Sequence, residues 1–304
     1  MGRGLRRIAA VWLASSCVLA TAACSGGDDD SAAGTGAATS SSAASAGSAS
    51  SSADGGTYLA LGDSVPFGYR GGQSASAYAD PTGFVGYPQL AAQELGLDVV
   101  NASCPGETTA SFLDATAQSN GCENSSEGGP GYRTGYPLHV DYDAVDQSQL
   151  DFAVRTLKNT DDVALVTLMV GANDAFICQA TTSDGCLSEI VTIASSVQTN
   201  ITTVLTALRD QGGYDGKVVV VSYYALDYSD ATGTAAIQLL DAGIAGAAKA
   251  GGATVASGFD AFEAPAQASG GDAIAAGLVL PNDVHPSATG QQLLADAVVA
   301  AAGG

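Results

Sequence analysis

Residues 163–170, Val-Ala-Leu-Val-Thr-Leu-Met-Val, constrain the fold more than any other stretch of the chain. A near-continuous apolar run of this length reads as a strand covered on both faces, the setting of a central strand in a parallel sheet. Residues 58–61, 99–101 and 217–222 are shorter strands of similar kind, and Thr254-Val255 offers a short last one. Helical patterns separate them, over 87–95 (ending at Gly96), 148–158, 187–209, 235–250 and 288–301. In the second of these, Leu150, Val154 and Leu157 recur at helical spacing behind Ser148 as a cap. Strands alternating with helices predict right-handed β–α–β crossovers and a parallel sheet.

Three of the strands run into turn-forming polar residues. Residues 58–61 lead to Gly62-Asp63-Ser64, with Pro66 and Gly68 ending the strand. Residues 99–101 lead to Ala102-Ser103-Cys104-Pro105-Gly106-Glu107-Thr108-Thr109, and 163–170 lead to Gly171-Ala172-Asn173-Asp174. In a parallel sheet these turns share the C-terminal edge, where open α/β folds place their ligand sites. A fourth cluster, Pro281-Asn282-Asp283-Val284-His285-Pro286, precedes the last helix.

These residue types suit acyl transfer. A serine hydroxyl attacks a carbonyl only if a base takes its proton, and histidine is the usual base near neutral pH. The chain has two histidines, His139 and His285. His139 lies inside a long loop, where packing or lining the cleft mouth is its reading. His285 is held by Pro286 and followed by a helix start. The developing oxyanion needs donors, and the Gly106 N–H, the Asn173 side-chain amide and the Ser64 N–H are the candidates. Each has a plainer role open to it: Gly106 turns the chain after Pro105, and Asn173 caps a turn.

Gly62-Asp63-Ser64, Gly106 in Cys-Pro-Gly-Glu-Thr, Gly171-Ala-Asn173-Asp174 and His285-Pro286 occur in the order of the four blocks of the SGNH, or GDSL, hydrolase family. Gly86-Tyr-Pro and the segment from Ser148 to Asp151 also resemble its secreted actinobacterial branch. The resemblance runs from about Tyr58 to the C-terminus. It implies a flavodoxin-like three-layer α/β/α sandwich and ester hydrolysis. It also implies Ser64 as nucleophile, His285 as base, and Ser64, Gly106 and Asn173 as the oxyanion hole. No G-x-S-x-G occurs in the folded part, so the α/β-hydrolase elbow is not the template.

The family places an aspartate three residues before the histidine, and this chain has Asn282 there, with Asp283 two before it. Two arrangements follow. The Asn282 backbone carbonyl orients His285 in a Ser–His dyad, which is the favoured expectation, or Asp283 swings round to complete a triad.

The first 23 residues read as a signal peptide: Arg3, Arg6 and Arg7 precede an apolar stretch that ends in Thr21-Ala22-Ala23. Cys24 at the first mature position resembles the lipidated cysteine of bacterial lipoproteins; without lipidation the protein would be secreted. Residues 25–56 contain only Ser, Gly, Ala, Thr and Asp, and cannot bury enough apolar surface to fold, so 24–56 reads as a flexible tether. Its three aspartates, Asp28, Asp29 and Asp30, are a solvated charge run. The hydrolase domain is then 57–304.

Composition excludes one class of partner. The chain carries 10 Lys+Arg against 31 Asp+Glu, and losing the signal's three arginines takes the net charge from −21 to −24. Such a surface repels phosphate backbones, so nucleic acid is no partner. Beyond Cys17 and Cys24, four cysteines remain, an even number that in an exported chain implies disulfides. Cys104–Cys122 and Cys178–Cys186 are the expected pairs, each bracketing a loop of small and polar residues. Zinc would need spacings such as C-x-x-C, which are absent, and the reaction requires no metal or organic cofactor.

The sequence thus predicts an extracytoplasmic serine esterase or lipase that acts on small-molecule or lipid esters through an acyl-serine. Phe112, Leu113, Tyr132 and Tyr136 are candidates to line its acyl groove, with core packing an equal reading for the first two. The alternative, a surface solute-binding lipoprotein without catalysis, accounts for signal, tether and α/β body but not for the Ser, Gly, Asn and His set.

Overall fold

A computed structural model describes residues 55–125 and 128–303. The signal peptide, Cys24 and nearly all of the tether lie outside the described residues. Five parallel strands, β1 (Thr57–Gly62), β2 (Asp98–Asn101), β3 (Val163–Met169), β4 (Lys217–Val221) and β5 (Thr254–Ala256), form one sheet in the order β2-β1-β3-β4-β5. All four pairings are parallel. The step from β2 back across β1 to β3 is the point where strand order reverses, and Ser64 leaves the sheet there.

Burial follows the sequence pattern. From Leu165 on, β3 is buried throughout, and so is β4 from Val218 on, because helices cover both faces of the sheet. The Tyr87–Leu95 and Ala288–Gly303 helices pack on one another, and Ile190–Asp210 packs along Ala231–Ala250. Gly243 permits that second contact, since a Cβ there would stand 2.6 Å from the Ala194 carbonyl oxygen. The Gln149–Asn159 helix begins at Ser148, whose hydroxyl accepts the Asp151 N–H at 3.0 Å.

Besides several helices of four or five residues, sequence patterning overlooked two of ten residues. Ala172–Thr181 follows β3 directly, and Gly258–Gln267 contains Pro265. The first lacks a marked apolar stripe, and the second carries a residue that usually ends a helix. Cys104–Cys122 and Cys178–Cys186 are disulfides, as the loop spacing predicts, so neither pair offers thiolates to zinc.

Candidate active site

Gly62 ends β1 with φ 138, and a Cβ there would lie 2.0 Å from the Met169 carbonyl oxygen, so only glycine brings the strand this close to β3. Asp63 continues the pairing by donating its N–H to Met169 O at 3.0 Å. Its Oδ1 then accepts the Val65 N–H at 3.0 Å, capping a single helical turn, Ser64–Phe67, that opens on Ser64. Pro66 lies within that first turn, where an N–H has no intrahelical acceptor to lose. Asp63 is 1% exposed, and its Oδ2 accepts the Tyr223 hydroxyl at 2.5 Å. Burial pushes the Asp63 carboxyl up to about 6, against the hydrogen bonds from Tyr223 and Val65.

Gly106 and Asn173 leave the sheet from β2 and β3, the strands on either side of β1. Gly106 has φ 87, and a Cβ there would meet the Asn120 backbone at 2.7 Å. Its carbonyl accepts the Asn120 N–H at 2.8 Å, while no hydrogen bond among the described residues draws on the N–H of Gly106 or Ser64. Asn173 is buried in the first turn of the Ala172–Thr181 helix. Its Oδ1 accepts Asn120 Nδ2 at 2.9 Å and its Nδ2 donates to the Glu107 carbonyl at 3.0 Å. The Glu107 carbonyl can only accept, so the amide orientation is settled and one Nδ2 hydrogen is left over. Asp174 holds the two elements together, accepting the Thr109 N–H at 2.9 Å and the Thr109 hydroxyl at 2.6 Å.

His285 departs from expectation. The Asn282 carbonyl does not orient the ring: Nδ1 lies 2.5 Å from Asp283 Oδ1. Asn282 adopts the left-handed region at φ 57, and the Asp283 N–H bonds back to Leu280 O at 3.2 Å. This reversal brings the carboxylate of the next residue to the ring. Asp283 is itself fixed, with Gly71 N–H on Oδ2 at 2.9 Å and Val284 N–H on Oδ1 at 2.7 Å. Burial would raise the Asp283 carboxyl, but the His285 hydrogen bond and charge, with the Gly71 and Val284 N–H groups, hold it down to about 2. The Tyr224 hydroxyl ties the loop down through Val284 O at 2.7 Å. With Nδ1 engaged, Nε2 is the nitrogen left for substrate chemistry.

Aromatic rings wall this edge. Tyr69 stands edge-on to His285 at 5.0 Å between centroids, and Tyr69, Tyr78 and Phe84 lie nearly parallel at 5.7–6.2 Å. Tyr132 and Tyr136 join that cluster. Phe112, by contrast, is wholly buried in the main core and lines no groove, and Leu113 packs against that core. His139 packs on Phe67 with centroids 4.5 Å apart, and its Nε2 lies 2.9 Å from the Phe67 carbonyl oxygen. Burial lowers its pKa.

Sequence reasoning did not single out Asn120, Gln149, Glu107 or Tyr223 as supports of the site. For Gln149 a signal existed. It shares a helical face with Phe152, Ala153 and Leu157, all buried, and a glutamine on such a face calls for partners. Asn120 and Tyr223 left no comparable mark, since their partners are more than 50 residues away.

The GDSL-like Lipase/Acylhydrolase family model matches residues 60–293. No curated protein sequence matches the chain. Among solved structures, phospholipase A1 from Streptomyces albidoflavus NA297 is similar in fold, with 20% identity over 81% of this chain and 99% of that one, and a TM-score of 0.52. Axe2, an acetylxylan esterase from Geobacillus stearothermophilus, aligns at 16% identity over 82% of this chain and 95% of its own, with a TM-score of 0.51. A family match over most of the chain, on a parallel α/β sheet whose edge carries Ser64, Gly106, Asn173 and His285, means that this protein belongs to the GDSL-like lipase/acylhydrolase family and is a carboxylic ester hydrolase.

Proposed function

We propose that the protein is an exported serine esterase with a Ser64–His285–Asp283 triad. The Ser64 hydroxyl attacks the ester carbonyl and His285 Nε2 takes its proton. The Ser64 N–H, the Gly106 N–H and the free Asn173 Nδ2 hydrogen receive the oxyanion. His285 then protonates the leaving alcohol, and water attacks the acyl-serine by the same route in reverse. The observation that carries this reading is the Asp283 carboxylate, held by the backbone N–H groups of Gly71, Val284 and His285 with one oxygen against His285 Nδ1. Such a carboxylate stabilises the imidazolium formed during attack, and a backbone carbonyl does so less well because it carries no full charge.

Two disulfides fit an oxidising compartment, and no described helix is long and apolar enough to cross a membrane. With the N-terminal signal and Cys24, this supports a lipid-anchored enzyme on the extracytoplasmic face. The aromatic wall beside His285 supports an apolar acyl or leaving group. A binding protein without turnover would have no use for the triad.

Ser64→Ala tests the reading. It is expected to abolish both hydrolysis of a chromogenic short-chain ester and labelling by a serine-directed phosphonate, at unchanged melting temperature. A wild-type chain that neither hydrolyses the ester nor takes the label would end the proposal. Initial rates across a chain-length series of esters then assign the acyl preference.

A further inference from the structure

Behind the oxyanion donors lies a polar network shut off from water. Glu107, Ser111 and Gln149 are each 0% exposed. The Gln149 side chain reads both backbone groups of Gly62: Oε1 accepts its N–H at 2.6 Å and Nε2 donates to its carbonyl at 3.0 Å. The Gly62 N–H can only donate, so the amide has one possible orientation. The second Nε2 hydrogen goes to Glu107 Oε2 at 2.8 Å, and the Ser111 hydroxyl donates to Glu107 Oε1. The Glu107 backbone carbonyl, in turn, is the acceptor that orients Asn173 Nδ2.

One residue therefore touches both halves of the acyl-transfer machinery. Through its side chain and Gln149, Glu107 reaches the glycine two residues before the nucleophile. Through its main chain it adjoins Gly106 and orients Asn173. The loop from 107 to 148 completes the arrangement. Arg133 pairs with Glu123 at 3.1 Å and donates to the carbonyls of Ala144, Val145 and Gln147 at 3.0–3.2 Å, clamping the strand of chain that delivers Gln149. A buried glutamate is expensive in desolvation, and an apolar side chain would fill the same space at less cost. Burial first, then the neighbouring Glu123, keeps the Glu107 carboxyl well above the usual range, which favours the protonated acid.

We infer that Glu107 and Gln149 are positioning residues that hold the nucleophile turn and the oxyanion loop at a fixed separation. This rests on the serine-esterase reading of the site. Displacing an oxyanion donor weakens the transition state and leaves ground-state binding in place, so the effect falls on kcat.

The test compares Glu107→Ala, Glu107→Gln and Gln149→Met in the full chain, per folded protein by circular dichroism. The readouts are kcat and KM on a chromogenic acetate ester, and inhibition by a trifluoromethyl ketone that forms a tetrahedral serine adduct. Glu107→Ala and Gln149→Met are expected to lower kcat by about 30- to 100-fold with KM within about threefold, and to weaken the ketone by a similar factor. Glu107→Gln, which keeps a neutral acceptor for Gln149, is expected to recover most of the loss. A folded Glu107→Ala or Gln149→Met with kcat within about threefold of wild type, or with loss confined to melting temperature, overturns the inference. If both fail to fold, the near-isosteric Gln149→Glu, which replaces the two amide donors with a carboxyl group, carries the same expectation and the same overturning result. An inactive, unlabelled wild type would instead sink the esterase reading, so the two failures are distinct.

Discussion

Gly106 and Asn173 rest on a buried floor of amides and carboxyls, whereas His285 rides on a short loop held from its flanks. On the oxyanion side Asn120, Glu107, Asp174 and the Cys104–Cys122 disulfide all converge, and most of those side chains are shut off from solvent. On the base side the contacts are fewer and keep some exposure: Gly71 and Tyr224 grip the loop, and Asp283 and His285 keep 14% and 12% of their side chains exposed. The difference matches what each side does. Oxyanion donors must stand where charge will develop, without reorganising, while the imidazole must take a proton and pass it on.

The largest effect expected on the base side comes from Asp283→Asn. The ring would lose its charged partner, and kcat should fall on the order of 10⁴-fold, the scale of a triad aspartate. Asn282→Gly preserves the left-handed backbone and should leave kcat within about threefold. Equal activity in wild type and Asp283→Asn would return the ring to a backbone carbonyl and make the base side a dyad.

On the oxyanion side Asn173→Ala removes one donor and should lower kcat by about 10²–10³-fold with little change in KM. Loss shared equally between kcat and KM would mean that Asn173 binds substrate and is no oxyanion donor.

The disulfide tests whether the rigid side is rigid because it is stapled. Cys104 and Cys122 are 18 residues apart. Replacing both by alanine should lower unfolding stability by about 3 kcal/mol in the loop-entropy account, read by chemical denaturation. A larger fractional loss of kcat than that of a matched Cys178/Cys186 double variant would place the staple in service of Gly106. Equal losses would make it a stability device alone.

Asp63 lies between the two sides, and its effect is the smallest. Its folded pKa of about 6 stands above the unfolded value of 3.8, so the folded chain binds the proton more tightly. That contribution is fully present below about pH 4 and is lost as pH rises through about 6, on the order of 2–3 kcal/mol for a fully buried group. Asp63→Asn should flatten the fall of melting temperature with pH over that window. Asp241, whose carboxyl burial pushes up to about 7, adds a slope of the same sign across that window and on toward pH 7, so a residual slope remains in the variant. An unchanged slope between pH 4 and 6 would show that Asp63 does not keep its proton when folded.

Much of this molecule was legible in the chain alone, and for local reasons. The apolar runs of β1, β3 and β4, the Ser148 cap and the Gly62 and Gly106 turns follow from side-chain pattern and φ preference within a few residues. Their order also placed Ser64, Gly106 and Asn173 at one sheet edge, because parallel strands share an edge for their outgoing turns. The partner of His285 was decided only by tertiary structure. Asn282 and Asp283 are both close in sequence, and the choice depends on a left-handed residue and on Gly71, more than 200 positions away. The Glu107–Gln149 network was likewise out of reach, since it forms only when β1, the oxyanion loop and the Gln149–Asn159 helix meet. A sequence specifies which groups can bond, and packing then determines which of them lie close enough, out of water, to be obliged to.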